Sequence, residues 1–345
     1  MNNDNVNVSS NPNYGKYGMR GMHIKDFLLK YNVVLMLLIL IVSSSLLSDV
    51  FFTSQNISNL LRQSIPLLLV SVGMLLVIIT GGIDLSVGSV AALGSMVVSI
   101  ALTNWGFASS SSLLLAILIS AAVGLALGSV SGLLVSYSGM APFVVTLAMM
   151  TMARGISYML TNGQPVRLPL EQSSTQILSS FGSKSMPLLG IAWPILLGIV
   201  VVLIFYLLMK YTALGRLLIA TGSNETAVLF AGINPKKYKF FAYAVCGMLS
   251  AIAGIIVTSR SGVGVPVTGV GLELDAIAAC VIGGASLAGG RGTVINTVIG
   301  VLILVLIGNI MNLLSVPDYP QQVIKGLIII GAVFLQSVES KKATA

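Results

Sequence analysis

The sequence predicts an all-α polytopic membrane protein, and three observations carry that prediction. Of its 345 residues, 56% are hydrophobic and only 8% are charged, whereas a soluble domain carries roughly 25% charged residues. The apolar residues fall into ten runs, near 31–48, 64–80, 87–102, 113–134, 142–160, 191–209, 240–258, 272–288, 293–313 and 321–338. Each is close to the ~20 residues that cross a bilayer as a helix. Glycine, at 36 residues, exceeds its usual share of ~7%, and small residues let helices approach closely in lipid. Together these exclude an ordinary soluble enzyme, a disordered chain and a nucleic-acid-binding domain.

The first run, Val33 to Leu47, is longer than a signal-peptide core and no small-residue cleavage site follows it, so it reads as a retained span. Pro66, Pro142 and Pro194 fall at or near span starts, where a missing N–H costs little. The ten spans make one transmembrane domain over 31–338, between a polar N-terminal tail (1–30) and a short C-terminal tail (339–345).

Charge orients the spans. The net charge is +8, and no basic–aromatic patch accompanies it. In a membrane protein, basic residues hold loops on the cytosolic side. With the N-terminus inside, the inner segments hold Lys16, Arg20, Lys25, Lys30, Lys210, Arg216, Lys236, Lys237, Lys239, Arg291, Lys341 and Lys342. The outer segments hold only Arg62, Arg167, Lys184 and Arg260. The asymmetry sets an N-in, C-in topology with an even number of spans. Cys246 and Cys280 lie inside apolar runs and read as two buried thiols. The single histidine, His23, sits in the N-terminal tail, so no histidine metal cluster is expected, and no cofactor.

Two segments break the helical pattern. Gly81-Gly82-Ile83-Asp84-Leu85-Ser86 joins two apolar runs without a polar loop, and the run opened by Leu272-Glu273-Leu274-Asp275 ends in Gly283-Gly284 and Gly289-Gly290. Non-helical backbone at membrane depth is tolerated only where protein or a water-filled cavity satisfies it. Short glycine-interrupted segments in matching halves point to a translocation path. The spans within 64–160 and 240–338 run in opposite directions, which permits an inverted repeat.

Asp84, Glu273 and Asp275 are candidates for lining that path or for capping helices. A carboxylate at mid-bilayer costs about 2.5–3.5 kcal/mol. Asp84 can offset this by accepting the free N–H groups of a helix starting at Leu85. Glu273 and Asp275, one residue apart, diverge on a helix, and no nucleophile–base pair accompanies them. The stretch Gly284 to Arg291 has the outline of a phosphate loop, but Gly290 and Arg291 stand where Lys and Ser/Thr are needed. The chain therefore carries no recognisable energy source.

The inner loop 210–239 is the most informative polar stretch. Within it Asn224 to Gly232 reads as a short helix: Asn224 caps it, Glu225 suits the positive end of its dipole and Gly232 ends it. Two readings stay open: a surface helix on the lipid interface, or a docking helix that receives force from a soluble partner. The longest outer segment, 161–190, either meets an extracytoplasmic partner or covers the bundle.

A family resemblance rests on these same stretches. It is carried by Gly81-Gly-Ile-Asp-Leu-Ser-Val-Gly88, by Ala141-Pro-Phe-Val-Val-Thr-Leu147, and by Gly215-Arg216 with Gly222-Ser-Asn224 and Ala231-Gly-Ile233. It continues in the run from Glu273 to Gly284, Ser286-Leu287 and Gly289-Gly-Arg-Gly-Thr293. Through them the chain, over roughly 50–338, resembles the permease subunits of bacterial ATP-binding-cassette importers for simple sugars, of the ribose, xylose, arabinose and galactose type. It departs at Ser223 and at Thr226-Ala227, where relatives tend to show Gly and a paired Ala, and at Asn296, where Gly is common.

The resemblance implies a type II importer-like bundle in the bacterial inner membrane, without an ATPase site of its own. It implies a second permease chain in a homodimer, ATPase subunits docked on the 210–239 loops, and an extracytoplasmic sugar-binding protein. Gly222, Asn224, Glu225, Ala227 and Gly232 are the residues it assigns to coupling with the ATPase. Alternatives are the same importer type carrying nucleosides, a furanose signal molecule or branched-chain amino acids, or an ion-coupled secondary carrier. The last would usually hold ionisable groups near mid-membrane.

Overall fold

The computed structural model describes residues 32–186 and 190–344; the tail 1–30, with His23, lies outside the described residues. The chain forms α1 (Asn32–Leu47), α2 (Ser54–Ile79), α3 (Val87–Thr103), α4 (Ser110–Ser136) and α5 (Pro142–Met159). There follow β1 (Val166–Arg167), α6 (Ser173–Ser183), α7 (Trp193–Tyr211), α8 (Ala213–Ser223), α9 (Glu225–Phe230), α10 (Lys236–Ser261) and β2 (Val263–Gly264). The chain closes with α11 (Leu272–Ile282), α12 (Val294–Leu313) and α13 (Asp318–Thr344), so the backbone of the expected C-terminal tail continues a helix.

Every apolar run overlaps a helix. Five of these helices, α2, α4, α7, α10 and α12, are each long and apolar enough to cross a membrane. By contrast α11 has 11 residues. At 1.5 Å per residue it covers about half of a ~30 Å hydrocarbon core. The expected span 272–288 is therefore a half-helix followed by irregular chain.

Two boundaries differ from expectation for one reason: hydropathy marks the apolar part of a helix, whereas capping marks its end. Helix α2 begins at Ser54 rather than near 64, because the Thr53 hydroxyl accepts the Asn56 N–H at 3.3 Å and opens a polar first turn. Pro66 is consequently inside α2, while Pro142 and Pro194 do occupy first-turn positions. Helix α10 begins at Lys236, so most of the loop 210–239 is helical.

The core is built on α2 and α10. Their apolar stretches are 89% and 67% buried, against 28% and 22% in α4 and α7. Between their ends, the large exposed side chains of α4 and α7 are leucine, isoleucine and valine, as suits surfaces facing lipid. In lipid, helices associate through close packing and buried hydrogen bonds rather than hydrophobic burial. Both are present: Gly124 and Gly128 of α4 pack on Gly247 of α10, and Ser120 donates to the Gly94 carbonyl at 2.8 Å.

The packing has an internal echo. Helix α10 packs on α3 and α4, and α2 packs on α11 and α12. Helix α3 touches α4 and α5, and α11 touches α12 and α13. Exchanging α2–α5 for α10–α13 reproduces these pairs, the pattern of the inverted repeat that the span directions permit. The exchange corrects one expectation. The counterpart of Gly81–Ser86 is the link from Gly262 to Gly271, not Gly283–Gly290. These two counterpart segments lead into Gly88 and Gly269, whose backbones touch.

The outer segment covers the bundle. Strand β1 pairs antiparallel with β2, Val166 opposite Gly264, and α6 packs on α4 and α10.

Candidate functional site

Two sites emerge from the residues singled out in the sequence. The first is the turn of chain around α9. The Asn224 side-chain oxygen accepts the Ala227 N–H at 2.9 Å, satisfying one free donor of the first turn. Glu225, in that turn, pairs with Lys239 of α10 at 2.6 Å. The helix ends at Phe230, and Gly232 follows with φ +78°, a left-handed conformation that a Cβ would disfavour. Two large apolar side chains point away from the protein: Leu229 is 58% exposed and Phe230 86%.

The same segment is fastened to the membrane-embedded breaks. Gly222, near the end of α8, lies against the Ile79 carbonyl at the end of α2 and against the Gly290 backbone. Gly290 donates its N–H to that Ile79 carbonyl at 2.9 Å. A Cβ on Gly222 would collide with the Ile79 oxygen, and one on Gly289 would sit 2.9 Å from the Gly222 oxygen and 3.1 Å from the Gly81 Cα. Three backbone segments thus meet without intervening side chains: the end of α8, the start of the Gly81–Ser86 link, and the Gly289-Gly290 turn before α12. The departure at Ser223 leaves this junction intact, since its hydroxyl turns back to the Ile219 carbonyl at 2.9 Å. Asn296 is similarly harmless: its side chain is exposed and its N–H is held by Thr293 at 3.3 Å.

The second site lies at membrane depth. Helices α3 and α10 run parallel, as Ala91 on Gly254, Ser95 on Thr258 at 2.7 Å, and Ser99 on Gly264 show in turn. Gly82 rests on the Tyr243 hydroxyl. That is seven residues into α10, roughly 10 Å along it. Asp84 is fully buried here. Its Oδ1 accepts the Ser86 N–H at 2.9 Å and the Ser86 hydroxyl at 2.6 Å. Helix α3 starts at Val87, with Ser86 rather than Asp84 as the residue before it. The expected cap from Leu85 onward is thus corrected to a tight turn two residues earlier, because the Gly81–Ser86 link stays non-helical through Ser86.

Glu273 and Asp275 separate, as their spacing requires. Asp275 pairs with Lys325 of α13 at 2.8 Å. Glu273 turns the other way, against Gly88, into a cavity of about 450 Å³ that Ser89, Thr151, Arg154 and Tyr158 also line. Arg154 donates to the carbonyls of Pro266 at 2.6 Å and Thr268 at 2.9 Å, fixing the link before α11. From sequence alone Arg154 falls within the apolar run 142–160 without an assigned role. An arginine inside a span is itself a functional signal, and that signal was present in the run 142–160. Ser89, Thr151 and Tyr158 carry no such signal. Cys246 and Cys280 are buried free thiols, and the described residues hold no metal-binding cluster.

Comparison with known proteins agrees with this architecture. The family model described as branched-chain amino acid transport system / permease component matches residues 56–333. The ribose import permease protein RbsC of Escherichia coli K12 is 41% identical over 320 residues, covering 92% of this chain and 96% of the relative. RbsC of Bacillus subtilis is 39% identical over 322 residues, with coverage of 92% and 96%. The D-allose transport system permease protein AlsC of E. coli K12 is 34% identical over 313 residues, with coverage of 90% and 93%. No solved structure matches the chain.

Proposed function

We propose that this chain, which belongs to the permease-component family of branched-chain amino acid transport systems, is the membrane-spanning subunit of an ATP-driven importer of a simple sugar. It is a multi-pass protein of the bacterial inner membrane. The relatives that match over nearly their whole length are named for ribose and allose. Separate ATPase subunits supply the energy, an extracytoplasmic binding protein supplies the sugar, and a second permease chain completes the pathway.

The observation that carries the coupling step is the pairing of an exposed apolar tip with a backbone junction. Leu229 and Phe230 offer a hydrophobic anchor on a short helix that otherwise has little to bury. Covering a phenylalanine is worth about 1.5–3 kcal/mol. Force applied at α9 passes through α8 to Gly222, and from there directly to the breaks at Gly81 and Gly289. ATP binding closes the ATPase pair, α9 moves, and the half-helix segments tilt so that the cavity changes sides. The permease itself does no covalent chemistry. A lipid-interface helix would place its apolar residues against headgroups instead, and it would need no rigid link to two membrane breaks.

The test is Phe230→Asp in the assembled importer. ATP-driven D-ribose uptake is expected to fall at least about tenfold, as for loss of an interface anchor worth more than 1.4 kcal/mol, with little change in Tm because the side chain is 86% exposed. Uptake at the unsubstituted rate would remove the docking role from α9.

A further inference from the structure

We infer that the Arg154–Glu273 cavity is a sugar-binding station within this chain, which accepts a neutral polyhydroxylated ligand during passage. The inference rests on the importer reading above and adds to it a place and a recognition chemistry.

Four observations point there. First, the position: Ser89 is in the first turn of α3, Glu273 is in the first turn of the half-helix α11, and Arg154 is in the second half of α5. The cavity therefore adjoins the point where the two halves of the repeat touch, Gly88 against Gly269. Second, the size: about 450 Å³ falls within the range of roughly 300–1,000 Å³ usual for small-molecule sites. Third, the cost: ionisable side chains at membrane depth are expensive to insert and call for a functional reason. Arg154 and Glu273 do not close on each other, since the ion pairs among the described residues are Lys239–Glu225 and Lys325–Asp275.

Fourth, a buried group waits for a partner. Ser89 borders the cavity and is 1% exposed, and its hydroxyl is buried without a hydrogen-bond partner. A buried hydroxyl left unpaired is costly, and a ligand hydroxyl would satisfy it.

The donor set fits a polyol. Arg154 uses one terminal nitrogen on the Pro266 and Thr268 carbonyls and keeps further N–H donors. Glu273 only accepts. Ser89, Thr151 and Tyr158 bring hydroxyls that both donate and accept, and the Tyr158 ring offers an apolar face. A sugar presents the same mixture, hydroxyls that donate and accept around an apolar ring. The charges of Arg154 and Glu273 cancel, so neither a lone cation nor a lone anion is favoured. A zwitterionic amino acid is the competitor that the test must separate.

The test uses membrane vesicles containing the complete importer, with a reporter cysteine at Thr151→Cys. The native thiols Cys246 and Cys280 are buried, whereas Thr151 is exposed to the cavity. D-ribose at twice its dissociation constant or above is expected to slow maleimide labelling of the reporter at least about threefold, and L-leucine is expected not to. Adding Glu273→Gln, or Tyr158→Phe if that variant fails to insert, should abolish the protection. ATP-driven D-ribose uptake is measured in the same vesicles. Uptake without any protection overturns this station and leaves the importer reading intact. Absence of uptake in matched vesicles of the unsubstituted importer overturns the importer reading itself. Protection by L-leucine and not by D-ribose overturns the polyol assignment.

Discussion

The α9 junction and the Arg154–Glu273 cavity are built in opposite ways. At the junction, backbone meets backbone: Gly222 lies against the Ile79 and Gly290 backbones, and Gly289 against those of Gly222 and Gly81. At the cavity, side chains reach across a gap from three different helices. Backbone contact has no rotamers to absorb a displacement, so it passes motion on. Side-chain contact across a cavity can be broken and remade, which a site that must load and release a ligand requires. Both places also reverse the local polarity rule. Phenylalanine faces outward beside a lysine-rich turn, and arginine with glutamate faces inward at membrane depth.

This contrast breaks most easily at Gly222. Gly222→Val would drive a branched side chain into the Ile79 carbonyl. With backbone on both sides there is little relaxation, so the cost is expected at the upper end of overpacking, about 3 kcal/mol. ATP-driven uptake should be lost and the Tm of the purified complex should drop by several degrees. Gly308→Ala, where nothing lies within 4 Å of the added carbon, is the matched control and should transport normally. Equal behaviour of the two variants would deny the junction its role.

At the cavity the expected loss is smaller and can be rescued. Arg154→Met leaves the Pro266 and Thr268 carbonyls without their donor, an effect of about 1–2 kcal/mol for two partly buried acceptors. Arg154→Lys should recover part of it, because one ammonium can still reach a carbonyl. Thermal stability of both variants in detergent checks the order. If lysine and methionine are equivalent, the guanidinium is not what holds the link before α11.

The smallest effect belongs to the ion pair beside α9. Glu225 and Lys239 are 47% and 22% exposed in their side chains, so Lys239→Met should change stability by no more than about 0.5 kcal/mol. Uptake should fall less than twofold, and less still at high salt, where exposed charges are screened. A large loss would move this pair from the surface of the junction into its mechanism.

The two sites were unequally legible in the sequence. Asn224, Glu225 and Gly232 announced α9 because capping and helix termination are local events, decided within a few residues. Gly222 stood in the same motif, but its partner Ile79 lies far away in the chain, so the reason for glycine there was not readable. The cavity was half visible. Glu273 drew attention as a carboxylate in an apolar run, and Arg154 bore the same signal. Nothing local joins them, or adds Ser89, Thr151 and Tyr158, because the three helices involved are brought together only by the repeat. Pro66 misled for a related reason: the apolar run starts there, while the helix starts at the Thr53 cap.

The sequence by itself determined the class of the protein, the order and direction of its apolar helices, and the short helix between α8 and α10. Hydropathy, charge asymmetry and helix capping act along the chain and need no distant partner. Only the tertiary structure decided that α2 and α10 form the centre, that Gly222 locks onto Ile79 and Gly290, and that Glu273 shares a cavity with Arg154 while Asp275 meets Lys325. In lipid every apolar helix surface is equally acceptable to the solvent, so the choice of neighbours falls to close glycine contacts and buried hydrogen bonds between residues far apart in the chain.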